Sequence, residues 1–123
     1  MSSTVWSGNK TFTAAGGAQT LVPVPAPARG TLRGYSLVQT SGAENGFSAT
    51  FYTSDKAPED LYKLLSVTAA GASADAADLN IAYQNRNGTP SIHERLLYLR
   101  ITPSGSGDKS FTLSITVENP NIR

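Results

Sequence analysis

The stretch SFTLSITVE, residues 110–118, decides the fold. Phe111, Leu113, Ile115 and Val117 alternate with Ser110, Thr112, Ser114 and Thr116. Strict period two in strand-forming residue types describes a half-buried β-strand, because successive side chains of a strand point to opposite faces. Just upstream, Arg95–Thr102 places Leu97, Leu99 and Ile101 on one face and Leu96, Tyr98 and Arg100 on the other. Both faces are apolar enough for a more central strand. The connection Pro103–Asp108 contains Gly105 and Gly107, which tolerate positive φ. Read together, the two strands predict a hairpin with a longer loop.

Working outward, the same pattern recurs. Val5–Thr13 is strand-like, and Gly8–Asn9 predicts a bulge in it. Gln19–Val24 runs into Pro23, Pro25 and Pro27. Alternating prolines have no N–H to donate, so this piece is expected as an edge strand or an extended crossing arm. Thr31–Thr40 loses its phase near Gly34, and Gly46–Thr53 and Leu79–Gln84 alternate cleanly. Asn87–Gly88 is a strong turn dipeptide. Leu61, Leu64 and Leu65 have helical spacing and Pro58 suits a first helical position, so a short helical turn over 58–63 followed by a strand is expected. Ala69–Ala77 is small and unpatterned, and reads as a surface loop. The sum is a single all-β domain over residues 1–123. It is an antiparallel β-sandwich of about eight strands, expected as a jelly roll, with residues 1–8 as an N-terminal arm.

Composition narrows the function classes. A chain of 123 residues can bury a core without covalent staples, and it has no cysteine. Thiolate metal sites, iron–sulfur clusters, thiol catalysis and disulfides are therefore excluded. Ten Lys+Arg stand against nine Asp+Glu, scattered along the chain, so no basic patch marks a nucleic-acid partner. Only 15% of residues are charged, against roughly 25% in an average domain, so Ser, Thr, Asn and Gln must supply the polar exterior. MSSTVWSGNK has no basic segment followed by an apolar run, so a secretory leader is not expected in it, and no apolar run is long enough to span a bilayer.

The chemistry-bearing candidates are few. His93 is the single histidine and Glu94 follows it. Nucleophilic catalysis needs a base, a residue to orient it and a serine on a tight turn, and no G-x-S-x-G elbow accompanies His93, although Ser91 stands two residues before it. His93 reads as the edge of a strand. Glu59–Asp60 are adjacent at an expected helix start, where carboxylates favour the helix dipole, rather than set apart across a scissile bond. Asp75 and Asp78 lack the calcium-loop pattern. Asn9-Lys-Thr11 and Asn87-Gly-Thr89 fit the glycosylation acceptor, but chance supplies about that many in a chain so rich in Ser and Thr. Trp6, Tyr35, Tyr52, Tyr62, Tyr83 and Tyr98 are the candidates for sugar stacking or protein contact. No catalytic group, cofactor or metal is expected.

The short polar arm MSSTVWSGN, the proline-rich LVPVPAPARG (21–30), the cysteine-free Gly/Ser/Thr-rich strands and the closing LLYLRITPSGSGDKSFTLSITVE (96–118) together resemble the small decoration, or cement, proteins of tailed-bacteriophage capsids. The resemblance is one of style over most of the chain and rests on no diagnostic motif. It implies a non-enzymatic virion protein made in the host cytoplasm. Such a protein assembles as a trimer on the outer capsid surface, binds the major capsid protein lattice and bridges its subunits, with neither nucleic acid nor membrane as partner. Under it the contact residues are expected to be Val5, Trp6, Leu21, Val22 and Val24; the alternative is that these residues complete the protein's own outer sheet. A carbohydrate-binding β-sandwich of a phage tail or baseplate is the alternative, and it calls for a cluster of exposed aromatics.

Overall fold

The computed structural model describes residues 3–27, 29–53, 63–84 and 96–120. They form nine strands: β1 (Ser3–Ala15), β2 (Thr20–Pro25), β3 (Arg29–Ser41), β4 (Phe47–Tyr52), β5 (Lys63–Ala69), β6 (Ser73–Ala76), β7 (Ile81–Gln84), β8 (Leu96–Pro103) and β9 (Asp108–Pro120). Among the described residues there is no helix, and so none long and apolar enough to cross a membrane. The expected turn at 58–62 and the Asn87–Gly88 turn lie outside them, and Lys63 is already strand.

One sheet has the order β1-β9-β3-β6, with β7 also on β3, and the other has β2-β8-β4-β5. All pairs are antiparallel and nested: β1 with β9, β2 with β8, β3 with β6 and β7, β4 with β5. This is the jelly-roll pairing, in which one long hairpin is wound into two sheets.

The winding overturns the expected hairpin between residues 95–102 and 110–118. β8 pairs with β2 and β4, and β9 pairs with β1 and β3, so consecutive strands lie in opposite sheets. Both strands carry an apolar inner face, and facing each other across the core buries both. Pairing them side by side would bury each against the same partner sheet, and alternation alone does not distinguish the two. Leu97, Leu99, Ile101, Phe111, Leu113 and Val117 are fully buried, and Ile115 nearly so. Phe47 and Phe111 meet edge to face across the sheets at 5.5 Å, and Phe12 stacks on Phe111 at 5.4 Å. Phe51 and Tyr35 make a second bridge at 5.7 Å.

Three further expectations are corrected. β1 holds unbroken register against β9 from Ser3↔Pro120 to Ala15↔Asp108, so Gly8–Asn9 is not a bulge. The Asn9 side chain accepts a hydrogen bond from Ser114 Oγ at 2.7 Å, which keeps that pair in line. Residues 3–8 are members of a sheet, not a free arm. The small-residue segment 69–77 contains β6, which pairs with β3 although its side chains are small, because Ala74 packs on the core and the backbone supplies the ladder. The expected break near Gly34 is present, with Arg33 as the extra residue between Leu32↔Val117 and Gly34↔Thr116. The bulge turns Arg33 outward, where its Nε bonds Glu118 at 2.8 Å and Nη1 reaches Asn80 Oδ1 at 3.2 Å.

Candidate interaction surface

The five residues expected at an interface separate. Val5 and Trp6 lie on β1, opposite Glu118 and Val117, and their side chains fall outside the described part of the structure. Leu21 is 40% exposed on the outer face of the second sheet. Val22 and Val24 are 3% and 2% exposed, so they are core residues and cannot make contact with a partner. The reason is alternation: Leu21, Pro23 and Pro25 point out, which directs the two valines in. His93, Glu94, Glu59 and Asp60 lie outside the described residues. Asp75 stands on β6 opposite Ser36, and Asp78 adopts a left-handed φ of 61°. Among the described residues no group of three metal-ligating side chains forms around them.

The tyrosines do not make an exposed stacking platform. Tyr52, Tyr83 and Tyr98 are 8%, 7% and 6% exposed, and Tyr35 is half-buried. Arg100 lies over the Tyr52 ring at 5.7 Å. Tyr83 donates to the Pro27 carbonyl at 2.8 Å, and burial pushes its phenol far above the usual range. Burial also raises the Tyr35 phenol, with a smaller push from the Asp75 charge.

The sheet edges are each guarded against strand addition. β2 carries Pro23 and Pro25 in one phase, which removes two donors from the same side of the strand. β1 directs Lys10 toward the inner face in the middle of the strand, between Gly8 and Phe12. An inward charge on an edge strand disfavours a further strand. β6 and β7 are four residues each, and β5 has a register shift beside Tyr52↔Lys63. Contacts with other molecules therefore fall to faces and ends.

One end of the sandwich is tied together by hydrogen bonds between its loops. The registers bring together the loops at 16–19, 42–46, 70–72 and 104–107. Gly16 N–H donates to Gly107 O at 2.8 Å, Gly17 N–H to Pro103 O at 2.7 Å, Ser104 N–H to Gly46 O at 2.9 Å, and Gln39 N–H to Ala72 O at 2.7 Å. Gly105, at φ 82°, lies so close to Asn45 that a Cβ there would collide with Asn45 Oδ1. Beneath these loops sit two buried polar side chains at positions where the inward alternation calls for apolar ones. Lys109 is 1% exposed and donates from Nζ to Ala43 O at 2.6 Å and Asn45 Oδ1 at 3.0 Å. Gln39 is 5% exposed and donates from Nε2 to the same Ala43 carbonyl at 2.9 Å and to Ser41 O at 3.1 Å. Sequence reasoning missed this end. The available signal was a lysine two positions before Phe111 and a glutamine two after Leu37, each in phase with the core.

No protein family and no curated protein matches the chain. Among solved structures, it is similar to a chain of the cyanophage Pam1 capsid asymmetric unit. That match has 15% identity and a TM-score of 0.50, and covers 96% of this chain and 85% of that one. It is also similar to the protein of the crystal structure of FlhE, at 11% identity and TM-score 0.49 over 95% and 98% of the chains. A third likeness is to Bacillus endospore appendages, described as disulfide-linked pili, at 12% identity and TM-score 0.47 over 98% and 93%. At these identities the likeness is one of fold.

Proposed function

We propose that the protein is a non-enzymatic virion structural protein that binds the outer surface of a phage capsid as a homo-oligomer, a trimer, and bridges capsid subunits. The observation that carries this reading is the nature of the exterior. Over β1 and β9 the outer face of the first sheet is a field of small uncharged side chains, Ser7, Asn9, Thr11 and Thr13 beside Ser110, Thr112, Ser114 and Thr116, bordered on the β3 side by exposed Val38, Asp75 and the Arg33–Glu118 pair. Such a surface loses little hydration when another protein covers it, whereas charged surfaces must be desolvated. Guarded edges direct association to faces and ends. The jelly-roll fold shared with a cyanophage capsid chain supports the same reading. Three weak contacts on one trimer reach useful avidity through effective concentration.

A carbohydrate-binding role draws no support from the described tyrosines, since each of them is buried or half-buried. The test is sedimentation of the full chain alone and with capsid shells assembled without it. A trimer that co-pellets with shells fits the proposal. A monomer at high micromolar concentration that stays in the supernatant refutes it. Truncating residues 1–8 is not a clean probe, because it removes the β1 pairings from Ser3 to Gly8. Lack of catalysis is tested separately: a hydrolytic activity abolished by His93→Ala overturns it.

A further inference from the structure

We infer that the braced loop end is the surface by which this protein docks, and that its partner surface is cationic and rich in hydrogen-bond donors. The inference rests on the capsid-binding reading and names the part of the molecule that carries it.

The first argument is the pair of buried polar side chains. An apolar residue in place of Lys109 or Gln39 would extend the inner faces of β9 and β3 without any ion to desolvate. Instead both side chains converge on one exposed loop and hold the same carbonyl, that of Ala43. Local departures from the rules of core building are expected where function requires them. Their effect here is to fix the 42–46 loop, which the core itself does not need.

The second argument is the interlocking. The Gly46–Ser104, Gly17–Pro103 and Gly16–Gly107 hydrogen bonds join three loops into one piece. A loop surface already fixed in place loses less conformational entropy on binding. Small residues, among them Gly17, Ala18, Ala43, Ser104, Ser106 and Gly107, are exposed on it, so a partner's backbone can approach closely.

The third argument is charge. The ionised groups exposed in these loops are Glu44 and, at the start of β9, Asp108, while the neighbouring Lys109 is covered. The buried oxygen of Gln39 has no hydrogen-bond partner among the described residues. Leu21, the exposed apolar residue of β2, is one position beyond Thr20, which pairs with Ile101 at the same end. A surface of interlocked loops with two exposed carboxylates and an apolar flank fits a patch of Lys or Arg side chains and free N–H groups on a protein lattice.

The experiment measures binding of the full chain to capsid shells assembled without it, at low and moderate salt. Three proteins are compared with the natural chain: Glu44→Lys/Asp108→Lys, the conservative Glu44→Gln/Asp108→Asn, and Ser66→Lys on the outer face of the second sheet. The charge-reversed form should bind about tenfold or more weakly, the neutral form by a smaller factor, and added salt should weaken the natural chain. Ser66→Lys should bind as the natural chain does. If the reversed form fails to fold, as judged by its thermal transition, the neutral pair carries the test. Equal binding by the loop variants, or a loss confined to Ser66→Lys, overturns the assignment while leaving capsid binding intact. A natural chain that does not bind shells at all overturns both.

Discussion

Replacing Lys109 with methionine should leave the protein about as stable as before while loosening the loop above it. Lys109 is 1% exposed and its ammonium donates to Ala43 O and Asn45 Oδ1. Hydrogen bonds to charged groups contribute roughly 1.5–3 kcal/mol each, so the two lost bonds amount to about 3–6 kcal/mol. Against this, burying an ion costs several kcal/mol even after relaxation, and methionine does not incur that cost. Its side chain also follows the path of the lysine stem, so the cavity term is small. No acceptor is stranded: Ala43 O keeps the Gln39 Nε2 donor at 2.9 Å, and Asn45 is exposed to water. The opposing terms leave a net change within about 1.5 kcal/mol in either direction. Denaturant unfolding with linear extrapolation measures it, provided the slope is unchanged. Amide hydrogen exchange supplies the second readout. The Ser104 N–H, bonded to Gly46 O, should exchange faster in the variant, while amides of the β9–β3 ladder keep their protection. A loss above about 4 kcal/mol, the scale of breaking a buried ion pair, would refute this reasoning and make the ammonium a structural necessity. Unchanged exchange at Ser104 would refute the brace itself.

Leu113→Ala, at a fully buried position of β9, should cost about 2–5 kcal/mol in denaturant unfolding; a cost below about 1 kcal/mol would place this strand outside the core. Gly105→Ala should cost about 1–3 kcal/mol from its left-handed backbone alone, with more from Asn45 Oδ1, and a neutral result would contradict the loop geometry. Because the phenol of Tyr83 is raised in the folded state, the unfolded chain loses that proton first, so stability falls as pH rises above about 10 with a slope of up to about 1.4 kcal/mol per pH unit. Tyr83→Phe should flatten that alkaline loss, at the cost of the bond to Pro27 O, about 1 kcal/mol at neutral pH; an unchanged alkaline slope would exclude Tyr83 as its source.

Period two made the strands legible because it reports directly which side chains are buried. Phe111, Leu113, Ile115 and Val117 face the core as their spacing requires, and the same rule places Leu97, Leu99 and Ile101 there. Alternation is silent on which strand lies beside which. The connection at 103–108 therefore read as a hairpin, although it crosses between sheets. Small side chains hid β6, since Ser73–Ala76 has a ladder but almost no hydrophobic signal. Val22 and Val24 do not belong with Leu21 as contact residues, because every second position of an edge strand points inward, which alternation itself makes legible. The bulge at Arg33 was legible because an extra residue breaks the phase on either side of it.

The candidate surface was hidden for a different reason. Lys109 and Gln39 occupy inward positions, and in a sequence a lysine or glutamine is read as a point where the strand meets solvent. Only the third dimension brings residues 39, 43, 45 and 109 together, from two neighbouring strands of one sheet and a single loop. Yet the phase itself carried the clue. Lys109 precedes Phe111 by two positions and Gln39 follows Leu37 by two, so each continues a buried face with a polar group. A buried face that turns polar on two neighbouring strands, at the same end of the sandwich, requires acceptors close by. In a chain with few charges, the acceptors within reach are loop carbonyls and an asparagine. The polarity of the core margin and the rigidity of the loops above it are thus one feature, and the two carboxylates at its rim give that feature a preferred partner.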